Sequence, residues 1–166
     1  MSTLFILGRI AVILIFVISG ALKLIDIPGT AAVIAAKVPV PALLAGFVAQ
    51  IEAAAGMKAP QLMAIATGVI EVAGGLLIAA NFGTRWAALA LLLLTAVATF
   101  YFHDFWNMAD AAYQQNLIHA EKNLSIMGAL LMLFVLGSYR PSANAGANQN
   151  QIYARLNRDD AGPPPA

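Results

Sequence analysis

Residues 60–80 read PQLMAIATGVIEVAGGLLIAA, a run in which Glu71 is the only charged side chain. A helix rises about 1.5 Å per residue, so the run is long enough to cross a hydrocarbon core about 30 Å thick. Glu71 lies near its middle, where an ionisable group costs at least ~2.5 kcal/mol. The stretch therefore predicts a membrane-spanning helix whose glutamate faces protein and not lipid.

The composition of the whole chain agrees with a membrane protein. Hydrophobic residues make up 61% of the 166 residues, the mean hydropathy is +0.80, and charged residues are 10%. Soluble domains carry roughly 25% charged residues, so a large soluble catalytic domain is excluded. The charges are scattered, and no basic patch indicates nucleic acid. Cysteine is absent, which excludes disulfides and thiolate-held metal sites or clusters within the chain.

Three further apolar runs complete an all-α fold. Spans are predicted at about 4–25, 60–80, 85–103 and 120–138, forming a polytopic four-helix transmembrane bundle within residues 1–140. Trp86 and Trp106 bracket the third span at about the thickness of the hydrocarbon core, and tryptophan prefers membrane interfaces. A cleavable signal peptide is the alternative interpretation of the first run, where Arg9 precedes an apolar stretch.

Two segments lie outside these spans. Between the first two, Pro41 can start a helix, and apolar residues recur at intervals of three and four. The pattern predicts an interfacial helix at about 41–56, with a re-entrant segment as the alternative. Residues 141–166 are polar, rich in Asn, Pro and Gly, and without periodicity, so a disordered tail is predicted.

Four spans place both termini on one side of the membrane. The side of the termini collects arginines, and the opposite side collects lysines. The excess of basic residues on the first side favours N- and C-termini in the cytoplasm. The two sets are Arg9, Arg85, Arg140, Arg155 and Arg158 against Lys23, Lys37, Lys58 and Lys122.

The charged residues inside the predicted spans form the first part of the candidate site. Arg9 and Lys23 are four helical turns apart and share one face of the first span. Counting the rise per residue predicts Arg9 as the nearer partner of Glu71, with Lys23 either pointing inward or snorkelling to the interface. Glu71 itself is either a neutral carboxyl hydrogen-bonded to a neighbouring helix or a functional pocket carboxylate.

A second polar group follows the third span. Thr95, Thr99 and His103 repeat every four residues and form a polar ladder, although the two threonine hydroxyls can also bond to their own helix. His103 comes near the start of the fourth span, beside Lys122 and Asn123. A metal site from His103 and His119 with an acidic neighbour has no recognised ligand spacing, so no metal is predicted. The predicted polar pocket contains Arg9, Lys23, Glu71, His103, Lys122 and Asn123.

These residues, in this order, resemble the DoxX family of four-helix proteins from bacterial inner membranes. The similarity covers about residues 4–140, and the segment between the first two spans is longer than usual and contains a second Ile-Glu pair, Ile51-Glu52. The matching positions are Gly8-Arg9, Phe16, Ser19-Gly20, Lys23, Ile70-Glu71, Gly74-Gly75, Gly83-Thr84-Arg85, His103-Asp104-Phe105-Trp106, Lys122-Asn123-Leu124 and Gly128.

The resemblance implies an inner-membrane location and leaves three functions open. Some relatives look like membrane subunits of quinone-linked sulfur oxidation, and others associate with redox enzymes. A quinone-binding subunit of an oxidoreductase is therefore one hypothesis, with quinone as its ligand. A permeation path for ions or small solutes past Glu71 and Arg9 is the second. The third is a structural partner without catalysis of its own, in contact with a redox protein or with further copies of itself.

Overall fold

A computed structural model describes residues 3–137 and Gln151, and within this part the protein is an all-α bundle. The predicted fold class is confirmed. Its six α-helices are α1 (Thr3–Ile25), α2 (Ile27–Lys37), α3 (Ala45–Ala55), α4 (Ala59–Ala79), α5 (Thr84–Phe102) and α6 (Asp110–Leu136). Short 3-10 turns at Ala42–Leu44 and Phe105–Asn107 precede α3 and α6. Apart from Gln151, the predicted tail at 141–166 lies outside the described residues.

Four helices are long and apolar enough to cross a membrane: Thr3–Ile25, Ala59–Ala79, Thr84–Asn107 and Asp110–Leu136. The first three lie close to the predicted spans. The fourth helix begins at Asp110, well before the predicted start near residue 120. The predicted start is late because the first turns of this helix are polar. Hydropathy locates only the apolar half of such a helix, so the sequence underestimated its length.

The segment between α1 and α4 holds two helices and not the single predicted one. Asp26 ends α1, and its side chain caps α2 by accepting a hydrogen bond from the Gly29 amide at 2.9 Å. Pro28 lies in the first turn of α2, where proline is tolerated. Asp26, Pro28 and Gly29 therefore both end one helix and start the next.

The interfacial helix predicted at 41–56 corresponds to the 3-10 turn and α3. This helix ends at Gly56, which adopts a left-handed conformation with φ of 67°. None of its residues is buried, and it contacts the rest of the bundle sparsely. An exposed apolar helix of this kind agrees with a position on the membrane surface.

Small residues let α1 and α4 pack closely as antiparallel neighbours. Gly20 lies against the backbone of Gly68, and Gly75 lies against Val17 further along the same seam. The adjacent Gly74 faces Leu91 of α5, so α4 contacts a different helix on each side. Contacts of this kind replace the hydrophobic effect as the force that joins helices in lipid.

The apolar core lies at the end of the bundle that carries the chain's N-terminus. It joins α1, α4, α5 and α6, and it is built from Ile13, Phe16, Ile78, Ala87, Ala88, Leu91, Leu130 and Leu133. A second, smaller cluster is formed where Ala31 and Ile34 of α2 pack against Ala64 of α4. The α2 helix thus covers the other end of the bundle. By contrast, α1 and α6 touch at few positions.

Candidate functional site

An ion pair between α1 and α4 lies at the centre of the candidate site. Nζ of Lys23 is 2.6 Å from both carboxylate oxygens of Glu71 and donates to Oγ of Ser19 at 2.8 Å. The Glu71 side chain is 10% exposed and that of Lys23 is 28% exposed. Glu71 therefore faces protein, as the sequence predicts, and its partner is a lysine and not the predicted arginine.

Arg9 binds elsewhere, which corrects the predicted Arg9–Glu71 pair. Its guanidinium donates to Oδ1 of Asn81 at 2.7 Å, to Oγ1 of Thr84 at 3.2 Å and to the carbonyl oxygen of Ile78. These groups lie at the end of α4, in the turn that follows it and at the start of α5. Arg9 is buried, and it stabilises the C-terminus of α4, where the helix dipole favours a cation.

The direction of helical side chains explains the exchange of partners. Side chains lean towards the N-terminus of their helix. Nζ of Lys23 consequently reaches one turn back to the level of Ser19, deeper into the bundle. The Arg9 guanidinium leans in the same direction along α1, towards Phe5, and this carries it away from Glu71 because Arg9 lies on the N-terminal side of the level of Glu71. The predicted distances counted only the rise along the helix and left this lean out.

A cavity of about 520 Å³ opens between the α1–α4 pair and the α5–α6 pair, and the Lys23–Glu71 ion pair lies in its wall. Four of the six predicted site residues line it: Lys23 and Glu71 on the α1–α4 side, His103 at the end of α5, and Asn123 on α6. Arg9 and Lys122 do not. The rest of the lining is Ile15, Phe16, Ser19, Thr30, Val33, Ile34, Val38, Met63, Thr67, Leu94, Thr95, Val97, Ala98, Tyr101, Phe102 and Ile126.

The far wall of the cavity is organised by α6. Asn123 donates from Nδ2 to Oγ1 of Thr99 at 2.9 Å, and Nδ1 of His103 is 3.1 Å from Oδ1 of Asn116. The ring of His119 lies 5.0 Å from that of His103. Behind it, Nζ of Lys122 is 3.3 Å from Nδ1 of His119. Lys122 therefore reaches the site only through His119, outside the cavity.

Several contributing residues escaped the sequence analysis. Thr30 and the neighbouring apolar side chains line the cavity because α2 folds over it, and α2 was not predicted. Nζ of Lys37, at the end of this helix, forms a salt bridge of 3.1 Å with Asp104 after α5. The Asp-x-Pro cap was the signal that could have revealed α2. Tyr101 lacked any signal, since an isolated tyrosine near an interface is common in membrane helices.

The second Ile-Glu pair has a different role. Glu52 of α3 accepts a hydrogen bond from the Ala59 amide at 2.8 Å and lies 3.0 Å from Nζ of Lys58. The amide hydrogen bond, followed by the lysine, lowers the pKa of the Glu52 carboxyl below its usual value. Glu52 thus ties α3 to the start of α4, far from the cavity lining. Only Glu71 of the two glutamates lies in the candidate site.

The chemistry of the site follows from its donor set. An ammonium, a carboxylate, an imidazole and an amide surround a mostly apolar space, as in pockets that bind small organic ligands. Among residues 3–137, no group of three or more His, Cys, Asp or Glu side chains is arranged to hold a metal ion.

Comparisons with known proteins agree with this architecture. The DoxX family model matches residues 4–104. The chain is 34% identical over 134 residues to inner membrane protein YphA of Escherichia coli strain K12. The aligned region covers 81% of this chain and 83% of that protein. No solved structure matches the chain. The four spanning helices, the family match and this relative establish a multi-pass inner-membrane protein that lies in a lipid bilayer, and the chain belongs to the DoxX family.

Proposed function

We propose that the cavity binds the head group of a membrane quinone and that the protein is the quinone-binding membrane subunit of a redox complex. The observation that carries the proposal is one apolar cavity among the spanning helices with the Lys23–Glu71 pair on one side and His103 and Asn123 on the other. Its volume lies in the range of pockets that hold a small organic ligand.

The residues present fit a quinone by their chemistry. Phe16, Leu94 and Ile126 offer an apolar surface for a ring, and the polar groups are few and lie on opposite walls. The sparse contact between α1 and α6 leaves a lateral route by which a tail can extend into lipid. When bound, a quinone would supply the redox chemistry, since it accepts two electrons and two protons to become the quinol. The chain has no cysteine to hold an iron–sulfur cluster, so we assign the electrons to a partner redox protein.

The protein's own contribution is to bind, orient and exchange protons. Lys23 compensates the Glu71 carboxylate inside the bundle, which keeps a proton-accepting group available at membrane depth. His103 lies towards the end of the cavity near the α5–α6 connection, so an imidazole separates the interior from the membrane surface.

A permeation path receives less support. It would require Arg9 and Glu71 to lie along one polar route. Ile13, Phe16 and Ile78 fill the bundle between them, and all three are buried. The Arg9 cluster and the cavity are consequently separate polar regions.

Quinone binding is the first testable consequence. We expect the purified protein to bind a decyl-tailed quinone in calorimetric titration in at least one of its two forms, the benzoquinone or the anaerobically kept benzoquinol, and Glu71→Gln and His103→Phe each to weaken binding of the tighter form roughly tenfold through loss of a charged or strong hydrogen bond. Glu52→Gln is the matched control for the first variant, because it makes the same change outside the cavity, and it should bind like the parent protein.

The alternative outcomes separate the hypotheses. A well-folded protein that binds no quinone would contradict the proposal. If Glu71→Gln and His103→Phe both fail to give assembled protein by size-exclusion chromatography, while Glu52→Gln folds normally, a structural role for the polar groups is favoured instead.

We further propose that both termini lie in the cytoplasm, on the basis of the excess of basic residues on their side. The chain contains no cysteine, so single cysteines can be labelled without background. A membrane-impermeant maleimide added to intact cells should label Lys58→Cys in the α3–α4 loop. Phe82→Cys, in the exposed α4–α5 turn, should react only after the membrane is permeabilised. The reverse pattern would invert the orientation.

A further inference from the structure

The charged hydrogen-bond donor of the cavity and two of its hydroxyls are used by the protein itself. The Lys23 ammonium has three hydrogens, and its three partners are Oγ of Ser19 and both oxygens of Glu71. The hydroxyls of Thr67 and Thr95 donate to carbonyl oxygens of their own helices, at 2.8 Å to Met63 and 2.7 Å to Leu91. None of these groups has a free hydrogen for a ligand carbonyl.

The acceptors of the cavity remain available. Each carboxylate oxygen of Glu71 can accept further hydrogen bonds beyond the one from Lys23. Asn123 donates one of its two Nδ2 hydrogens to Thr99, and its Oδ1 has no partner among the described residues. The lining thus offers oxygen lone pairs on both walls.

His103 contributes a third acceptor, because Asn116 determines its tautomer. Nδ2 of Asn116 donates to the carbonyl oxygen of Ala112 at 3.0 Å, so Oδ1 is the atom that faces His103. An amide oxygen only accepts, and therefore Nδ1 of His103 carries the hydrogen. Nε2 then bears the lone pair, and it has no hydrogen-bond partner within the described part of the chain. Among the described residues, no side-chain nitrogen or oxygen is fully buried without a hydrogen-bond partner. Nε2 of His103, which has no partner, is therefore not fully buried.

Three charged side chains of this region, Lys122, Asp104 and Glu71, contact partners other than the His103 imidazole. Nζ of Lys122 meets Nδ1 of His119, whose ring contacts that of His103. Asp104, next in sequence, is engaged by Lys37. Across the cavity, Glu71 is compensated by Lys23. None of the three therefore occupies Nε2 of His103.

We infer that the cavity selects a ligand that donates hydrogen bonds, and thus the dihydroxy, reduced form of a quinone over its carbonyl form. The inference rests on the proposed function and narrows its ligand to the quinol. Glu71, His103 and Asn123 supply the acceptors, of which the Glu71 carboxylate is charged. The donors that remain are neutral: the hydroxyls of Ser19, Thr30 and Tyr101 and the second Nδ2 hydrogen of Asn123. A carbonyl ligand can bond only to these neutral donors, whereas a hydroxyl ligand also gains the charge-assisted hydrogen bond to Glu71 that a carbonyl leaves unmade.

Calorimetric titration with three probes of nearly equal shape tests the preference. The probes are a decyl-tailed benzoquinol under anaerobic conditions, the matching benzoquinone, and the dimethyl ether of the quinol, which lacks O–H donors. We expect the quinol to bind the protein in lipid nanodiscs about tenfold tighter than either of the others, corresponding to one or two hydrogen bonds. Equal or tighter binding of the benzoquinone overturns the inference and leaves the proposed function standing. Absence of binding by all three overturns both.

Nitrogen NMR tests the positioning role of Asn116 without any ligand. The chain has only two histidines, so a ¹⁵N-histidine-labelled sample gives two imidazole spin systems, assigned with His119→Gln. We expect His103 to show the Nδ1–H tautomer, and Asn116→Leu to shift it towards a mixture while reducing the quinol preference severalfold. An Nε2–H tautomer in the parent protein, or a quinol preference unchanged by a tautomer shift, contradicts the inference.

Discussion

Replacing Lys23 by methionine is expected to lower the free energy of unfolding by about 3–5 kcal/mol, because the Glu71 carboxylate is then left without its counter-ion inside the bundle. Methionine retains most of the side-chain length, so the loss reports the charge more than the packing. The Glu71→Gln variant should cost less. Lys23 is the more exposed partner and can extend its ammonium towards the interface. Unfolding can be followed by circular dichroism in mixed micelles.

A double-mutant cycle isolates the pair. Lys23→Met combined with Glu71→Gln should be less destabilising than the sum of the two single changes, because removing both charges leaves neither one unpaired. Arg9→Met is the control, since Arg9 binds Asn81 and Thr84 and not Glu71. Its effect should add to that of Glu71→Gln within about 0.5 kcal/mol. Coupling of Glu71 to Arg9 instead of Lys23 would contradict the observed pairing.

A methyl group at Gly20 is expected to be the most damaging small change in the bundle. An added Cβ would lie 2.7 Å from the Gly68 carbonyl oxygen, 2.8 Å from Cβ of Glu71 and 2.9 Å from a methyl of Val72. A backbone oxygen and a Cβ cannot move without shifting α4. Gly20→Ala should therefore cost at least as much as typical overpacking, about 3 kcal/mol, and should separate α1 from α4.

Gly8→Ala is the matched control on the same helix. A Cβ at Gly8 meets no atom within 4 Å, and alanine is the better helix former by about 0.5–1 kcal/mol. This variant should be neutral or slightly stabilising in the same micelle titration. If Gly20→Ala unfolds at the same detergent fraction as Gly8→Ala, the close α1–α4 seam is wrong. Quinol binding should fall with Gly20→Ala, since Glu71 moves with the seam.

The sequence was most informative where one physical constraint acts on one segment. The span around Glu71 and the glycines that follow it could be predicted because lipid tolerates neither an exposed charge nor loose packing there. The α2 helix and the start of α6 could not be predicted in this way. Their signals are a single cap at Asp26 and a polar first half of a helix, and neither produces a hydropathy peak.

The sequence predicted most of the residues that form the candidate site but not how they are arranged. Lys23, Glu71, His103 and Asn123 line one cavity, whereas Arg9 and Lys122 lie outside it. Axial counting treats a residue as a point on the helix axis. Long side chains displace their charges by about a turn, so the counting misassigned the partner of Glu71.

The sequence by itself determined that this chain crosses a membrane four times and that Glu71 faces other helices. Both conclusions depend on the solvent alone, because a bilayer sets the length and polarity of each span independently of its neighbours. Only the tertiary structure decided which cation meets Glu71, that α2 covers the cavity, and that Asn116 contacts His103. These depend on the rotation and lean of helices against one another, which arise from contacts between residues far apart in the chain.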